Sequence, residues 1–254
     1  MKDSTLKHIL AQIKAAKADL KSYRPEGVDW HARATQTARI LVPWLCTKGE
    51  AIRKHVEGVL NSKRNLREAW KALQASQKLD ATLANNIDEN LRNEGILLSF
   101  IAGDVVSSVI GHFLATEFPN SRLAGNGKSD YPDMYFADYD YGFLPKFGRK
   151  ASQYGAATKG SCRRPVRVPD GIEIKTCRGE LRVDCHHPHM GLHLALLFNV
   201  TEEIYTVNDI RVAYLRSGDY RKSTLAASAA TTIKHSFNGR KFHSIFSSSP
   251  TSRC

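Results

Sequence analysis

The chain has 254 residues and is 42% hydrophobic, enough to bury the core of one large domain, which excludes wholesale disorder. It carries 37 lysine and arginine residues against 25 aspartate and glutamate residues, and the formal net charge of +12 favours a polyanionic partner, nucleic acid ahead of an anionic membrane. The longest apolar stretch, residues 96–114, contains Asp104 and His112 and therefore predicts a buried helix instead of a membrane span.

The start of the chain and its cysteines predict a cytoplasmic protein. Residues 1–5 run into an amphipathic pattern, whereas a secretory leader would have a short apolar core and a cleavage site. The cysteines are odd in number and irregularly spaced, so we expect free thiols in a reducing cytoplasm. They are Cys46, Cys162, Cys177, Cys185 and Cys254.

Residues 1–92 form the first predicted unit, a helical region that is a candidate DNA-contact or dimerisation lobe. Its first helix has apolar residues at helical spacing. A second helix should begin after Asp29, a good N-cap, and Pro43 should kink it or end it early. A third is predicted over roughly residues 50–75. The residues that define the first helix are Leu6, Ile9, Leu10, Ile13 and Leu20.

Residues 93–254 form the second predicted unit, the catalytic core. A long apolar helix is expected over residues 94–118, and a final helical piece between residues 223 and 246. The order of helices, strands and a last helix predicts an α/β fold with one central sheet. Strands are predicted at 131–137, 171–176, 194–200 and 210–215.

The sign of the charge changes along the chain. Residues 1–92 carry a net charge of +7, residues 93–140 carry −5, and residues 141–254 carry +10. A short acidic segment between two basic blocks suits a metal-binding centre inside a DNA-binding surface. Chance fluctuation along a long chain would give the same pattern, so the charge distribution supports a metal centre only together with other observations.

Two charged residues share one face of a predicted strand. Glu173 and Lys175 are two positions apart, so they project to the same side, while Ile172 and Ile174 point into a core. Buried charges of this kind are costly unless a cation or a phosphate binds them. Asp133 lies near the start of another short strand, and antiparallel pairing of the two strands would bring Asp133 and Glu173 to one cation.

These residues carry a resemblance to a known family. Pro132-Asp133 followed by Glu173-Ile174-Lys175 resembles the signature of the PD-(D/E)XK nuclease superfamily, over about residues 95–215. The resemblance implies a restriction-endonuclease-like central mixed sheet flanked by helices. It also implies that Asp133 and Glu173 bind Mg²⁺ and that Lys175 contacts the attacking water or the phosphate. Asp104, in the preceding helix, matches the position where the family often has a further acid, usually Glu.

The resemblance further implies a type II restriction endonuclease of the bacterial cytoplasm. Such an enzyme hydrolyses double-stranded DNA at a specific short site and leaves 5′-phosphate ends. We therefore expect a homodimer, with a cognate DNA methyltransferase as partner in the same system. Two alternatives stay open, a repair or recombination nuclease with the same core, and a basic DNA-binding protein without enzymatic activity.

The segment between the two motifs, residues 141–170, is basic. It contains seven basic residues and one acid, Asp170, with aromatic residues and glycines interleaved. A long loop of this kind neutralises phosphates and can read base edges, or else it is a disordered loop without specific contacts. The predicted DNA-binding residues are Lys146, Arg149, Lys150, Arg163, Arg164 and Arg167.

A histidine cluster follows the predicted catalytic strand. Residues 185–189 and His193, with Cys177 upstream, offer zinc ligands, but their spacing fits no standard finger or ribbon. A histidine-and-metal nuclease of the HNH type would need a second histidine and an asparagine pattern that the chain does not show. We expect these histidines in a loop that leads to the strand at 194–200, near the DNA.

Overall fold

The structure is a computed structural model that describes the residues forming three helices, eight strands and two short 3-10 helices. The helices are α1 (Lys2–Ala15), α2 (Lys17–Lys21) and α3 (Trp30–Leu60). The strands are β1 (Ser121–Leu123), β2 (Met134–Phe136), β3 (Ile172–Arg178), β4 (Gly191–Thr201), β5 (Ile204–Leu215), β6 (Tyr220–Lys222), β7 (His235–Phe237) and β8 (His243–Ser247). The described residues are 2–23, 28–62, 121–123, 134–136, 169–181, 190–201, 204–222, 235–237 and 239–247.

Six strands form one mixed sheet in the order β1-β2-β3-β4-β5-β8. Only the β3–β4 pair is parallel among the described strands, and the other neighbours are antiparallel. A separate two-stranded sheet joins β6 and β7. Each of the four predicted strands overlaps a described strand, although the one predicted at 131–137 is described only at 134–136. β2 pairs antiparallel with β3, with Met134 opposite Ile172.

The predicted final helical piece is wrong where the structure describes it. Residues 235–237 and 243–247 are strands, and β8 pairs with β5 at the edge of the main sheet. The side chains before β8 include helix formers, but Ile245 and Phe246 pack well on a sheet, and a neighbouring strand offers unpaired backbone groups. Tertiary pairing therefore overrides local helix propensity here.

The prediction of two helices, the first kinked or ended early by Pro43, is wrong where the structure describes this part of the chain. The chain forms one helix of 31 residues where we expected two, and Pro43 lies inside it. The predicted N-cap is confirmed, because the Asp29 side chain accepts a hydrogen bond from the backbone N–H of Ala32 at 2.9 Å. A proline inside a helix costs about 3 kcal/mol. Buried residues on both sides of it, including Leu41 and Leu45, pack against the core and offset this cost.

The N-terminal helices and the sheet share one hydrophobic core. The apolar side of the helices packs on the side of β3, β4 and β5 that carries Ile174, Leu194 and Val212. The chain is therefore an α/β protein in which N-terminal helices pack on a mixed sheet. The predicted helix over 94–118 and the predicted boundary at residue 92 lie outside the described residues. No described helix has the length and apolar character needed to cross a membrane.

Side chains from the helices complete the outer edge of β5. Among the described residues, β8 pairs with residues 209–212 of this strand, and backbone groups nearer both ends of β5 bond to side chains of the helices. Asn61 donates to the carbonyl of Tyr205 at 3.0 Å and accepts from its N–H at 2.7 Å. Glu57 accepts from the N–H of Val207 at 2.7 Å. Gln12 accepts from the N–H of Tyr214 at 2.8 Å. These bonds fix the helices to the sheet in one register.

We predict that Asn61→Ala lowers the free energy of unfolding by about 1 to 2 kcal/mol, because two hydrogen bonds to the β5 backbone are lost. Chemical denaturation of the purified protein measures this. Gln36→Ala, a change at an exposed position near the start of α3, is the control and should stay within about 0.5 kcal/mol of the parent. Equal losses in the two variants would contradict the role given to Asn61.

Candidate functional site

Strand β3 separates its side chains between the two sides of the sheet. Ile172 and Ile174 belong to the core beneath the helices. Glu173, Lys175 and Cys177 alternate with them and so lie on the opposite side. Cys177 joins a second apolar cluster on that side, so the side carries a small core next to a charged pair.

Glu173 and Lys175 form a hydrogen-bonded ion pair at the start of this strand. The Lys175 ammonium donates to the Glu173 carboxylate. The glutamate side chain is only 4% exposed, while 24% of the lysine side chain is exposed. Burying a carboxylate costs several kcal/mol unless it is paired, and a buried pair adds little to stability overall. The ion pair therefore offsets part of the cost of burying the Glu173 carboxylate.

The other predicted site residues lie outside the described part of the chain. Asp133 precedes Met134 in the sequence, and Met134 begins β2, the strand next to β3. Asp104 and residues 141–168, which include the predicted DNA-binding residues, are not described. Of the predicted catalytic residues, the structure thus places Glu173 and Lys175 and brings these two together.

The chemistry of Glu173 fits one position of a Mg²⁺ site. Mg²⁺ prefers carboxylate oxygens and is held by one or two of them, and this carboxylate is buried on the strand next to β2. Within the described residues, no group of three His, Cys, Asp or Glu side chains could hold a metal ion. The two other predicted ligands belong to segments that the structure does not describe.

Asp170 is a second buried acid, just before β3. It is 1% exposed, and Pro169 beside it accepts a hydrogen bond from the Tyr214 hydroxyl at 3.0 Å. Burial raises the pKa of Tyr214 well above its usual value, and the charge of Asp170 adds to this. Since Tyr214 belongs to the core beneath the helices, this contact fixes how the chain enters β3.

His193 occupies a place that the sequence prediction missed. We expected it in a loop before a strand at 194–200, but β4 begins at Gly191 and includes it. In the parallel pairing of β3 with β4, His193 is the register partner of Glu173. Its side chain is fully buried. The remaining residues of the predicted histidine cluster, 185–189, lie outside the described residues.

Both ring nitrogens of His193 have partners. Nδ1 lies 2.8 Å from the carbonyl oxygen of Gly191, and Nε2 lies 2.8 Å from the hydroxyl of Tyr220. A carbonyl only accepts, so Nδ1 carries the proton, and Nε2 of the neutral ring accepts from the tyrosine. Burial lowers the pKa of His193 to about 3, and the nearby charge of Lys175 lowers it further while the Gly191 carbonyl opposes the shift.

Tyr220 reaches this site from a distant part of the chain. It follows the short 3-10 helix Ser217–Asp219 and packs in the cluster that contains Ala195 and Ala213. These two alanines flank His193 on β4 and β5, and their small side chains leave room for the tyrosine ring. No sequence pattern marks Tyr220, because its role depends on a contact across 27 residues.

Comparison of the chain with protein families, curated proteins and solved structures finds no match. Its function must therefore be argued from its own residues. The described part of the site consists of a buried carboxylate, a half-buried ammonium and a neutral imidazole with its tyrosine, all on the side of the sheet opposite the helices.

The buried neutral state of His193 predicts a loss of stability in acid. The unfolded chain takes up a proton below about pH 6.5, whereas folded His193 does so only near its pKa of about 3. Its contribution is complete above pH 6.5 and is lost as the pH falls toward 3, at up to about 1.4 kcal/mol per pH unit. Denaturant unfolding measured at several pH values gives the free energy of unfolding. That free energy should change less with pH in His193→Gln, because glutamine does not titrate. Parallel profiles would contradict the buried neutral histidine.

Proposed function

We propose that the protein is a Mg²⁺-dependent endodeoxyribonuclease of the type II restriction kind. The observation that carries the proposal is the Glu173–Lys175 pair, a carboxylate and an ammonium kept together on β3 with the glutamate buried. The antiparallel neighbour β2, which begins directly after Asp133, supports it. The described architecture is an α/β one, with N-terminal helices on a mixed sheet; for residues 93–254 we propose a restriction-endonuclease-like core.

In this proposal, carboxylates hold the metal and Lys175 acts on the reacting atoms. Asp133 and Glu173 would hold Mg²⁺, with Asp104 as a further ligand. When bound, the ion would supply positive charge to the transition state and to the attacking water. Lys175 would orient that water as an ammonium or, after losing its own proton, accept one from it as a neutral amine. Its partly exposed side chain leaves it accessible to the water. In-line attack then leaves a 5′-phosphate and a 3′-hydroxyl.

Charge supports double-stranded DNA as the substrate. The net charge of +12 and the seven basic residues in 141–170 suit a phosphate backbone. We propose that the six named lysines and arginines of this segment contact DNA. A homodimer would match a palindromic site by its two-fold axis, and a cognate methyltransferase would protect host DNA.

One observation favours a second candidate, a DNA-binding protein without enzymatic activity. Glu173 and Lys175 bond to each other, as a purely structural ion pair would. This candidate predicts DNA binding with no metal-dependent cleavage. A repair or recombination nuclease with the same core would give a smear or structure-selective cutting of phage DNA, whereas a restriction enzyme would give discrete fragments.

Lys175→Ala should separate chemistry from binding. An ammonium has no lone pair for a metal, so the variant should still bind DNA in Ca²⁺. In Mg²⁺ its cleavage should fall by about two to three orders of magnitude, because the water or phosphate loses its charged partner. A gel shift in Ca²⁺ beside single-turnover cleavage in Mg²⁺ measures both effects.

Lys175→Arg is the matched variant, since it keeps the positive charge. It should not restore cleavage, because the planar guanidinium differs in reach and hardly deprotonates. If Lys175→Ala cuts as fast as the parent, the pair is an ordinary structural ion pair and the nuclease proposal fails.

Replacing Arg163 and Arg164 by glutamine tests the predicted DNA-binding segment. If both contact phosphates, the slope of log affinity against log salt should flatten by about two units. Lys14→Gln with Lys17→Gln removes the same charge from exposed positions on the helices, which pack on the side of the sheet opposite Glu173. If the helical region does not contact DNA, this variant leaves the slope unchanged, whereas a flatter slope would assign phosphate contacts to the helices. An unchanged slope in the arginine variant would place that segment away from DNA.

A further inference from the structure

The imidazole of His193 is a potential hydrogen-bond donor to Glu173, in competition with Lys175. The two residues are register partners on adjacent strands, so their side chains stand next to each other on one side of the sheet. An imidazole N–H that turned toward Glu173 would donate to the carboxylate that Lys175 now holds. The structure shows both ring nitrogens engaged elsewhere, one by Gly191 and the other by Tyr220.

The Tyr220 hydroxyl is the hydrogen-bond partner of the His193 ring that lies outside β4, the strand of His193. Gly191 is two residues from His193, so that bond is local. The tyrosine ring also packs on the imidazole edge to face, with centroids 6.2 Å apart and planes at 60°. Its hydroxyl keeps Nε2 in the accepting state, because an O–H that donates requires a bare nitrogen.

We propose that Tyr220 and His193 form a positioning pair, which keeps the imidazole from donating to Glu173 and so reserves that carboxylate for Lys175 and a cation. Only the effect of the pair on cleavage rests on the proposed nuclease function. The effect on the Glu173–Lys175 ion pair is expected in the free protein, without DNA. The pair acts through Glu173 and Lys175 and touches neither substrate nor metal.

Tyr220→Phe tests the pair by removing one oxygen. Without the hydroxyl, the ring proton is free to move from Nδ1 to Nε2, and the Nε2–H should then donate to Glu173 and loosen Lys175. The reaction of Lys175 with an amine-directed reagent should rise several-fold, as measured on its peptide by mass spectrometry. Single-turnover cleavage in Mg²⁺ should fall by roughly ten- to a hundredfold, the usual effect of losing an outer partner of a metal site. DNA affinity in Ca²⁺ should change less than about twofold, since no phosphate contact is lost.

The double variant Tyr220→Phe/His193→Leu distinguishes positioning from a structural role. Without an imidazole there is no competitor, so protection of Lys175 and most of the cleavage rate should return. A merely structural pair would show additive losses in the double variant. Replacing both partners by apolar side chains is also close to neutral for folding, which keeps the double variant measurable. Tyr214→Phe, which removes a buried hydroxyl on the helix side of the sheet, should change neither Lys175 labelling nor cleavage.

The outcomes separate this proposal from the nuclease proposal. If Lys175 labelling rises in Tyr220→Phe and returns in the double variant while the parent cuts no DNA, the positioning pair stands and the nuclease function fails. If the parent cuts DNA but Tyr220→Phe matches it in cleavage and labelling, the positioning pair is overturned. Should Tyr220→Phe not fold, ¹⁵N NMR of the parent decides: a proton on Nδ1 with a bare Nε2 supports the pair, and a proton on Nε2 overturns it.

Discussion

A β-strand alternates its side chains between the two sides of its sheet, and this constraint determines where the chemistry of this protein can lie. The helices cover one side of the sheet with a continuous apolar core. Every odd-numbered residue from Glu173 to Cys177 therefore falls on the other side. There the charges of β3 meet His193 of β4, because the parallel register aligns the two strands residue for residue.

The position of the helices in turn depends on a few polar side chains. The described part of β8 pairs with the middle of β5, and the side chains of Gln12, Glu57 and Asn61 bond to backbone groups of β5 on either side of it. Apolar packing alone would tolerate sliding of helices on a sheet, whereas these directional bonds set one arrangement. The helix-covered side of the sheet is thereby fixed, and Glu173, Lys175 and His193 lie on the opposite side.

The alternation of β3 could be predicted from the sequence, because apolar and charged residues at period two leave one arrangement for Ile172, Glu173 and Ile174. The continuity of α3 through Pro43 could not, since the packing that offsets the proline comes from the rest of the fold. The contact of His193 with Tyr220 was also beyond prediction, because it joins distant segments through space left by small residues. The sequence pattern of a strand thus predicts which side of the sheet a residue faces. Which other residues it contacts there depends on the tertiary fold.

The proposed role of Glu173 as a ligand of a catalytic cation is tested by digesting defined plasmid and phage DNA with the parent, Glu173→Ala and Asp133→Ala. We expect Mg²⁺-dependent discrete fragments with 5′-phosphate ends from the parent. Neither folded variant should cleave, because each lacks a carboxylate proposed to hold the metal. Near-parental cleavage by either variant, or no cleavage by the parent in Mg²⁺, would show that Glu173 does not have this role.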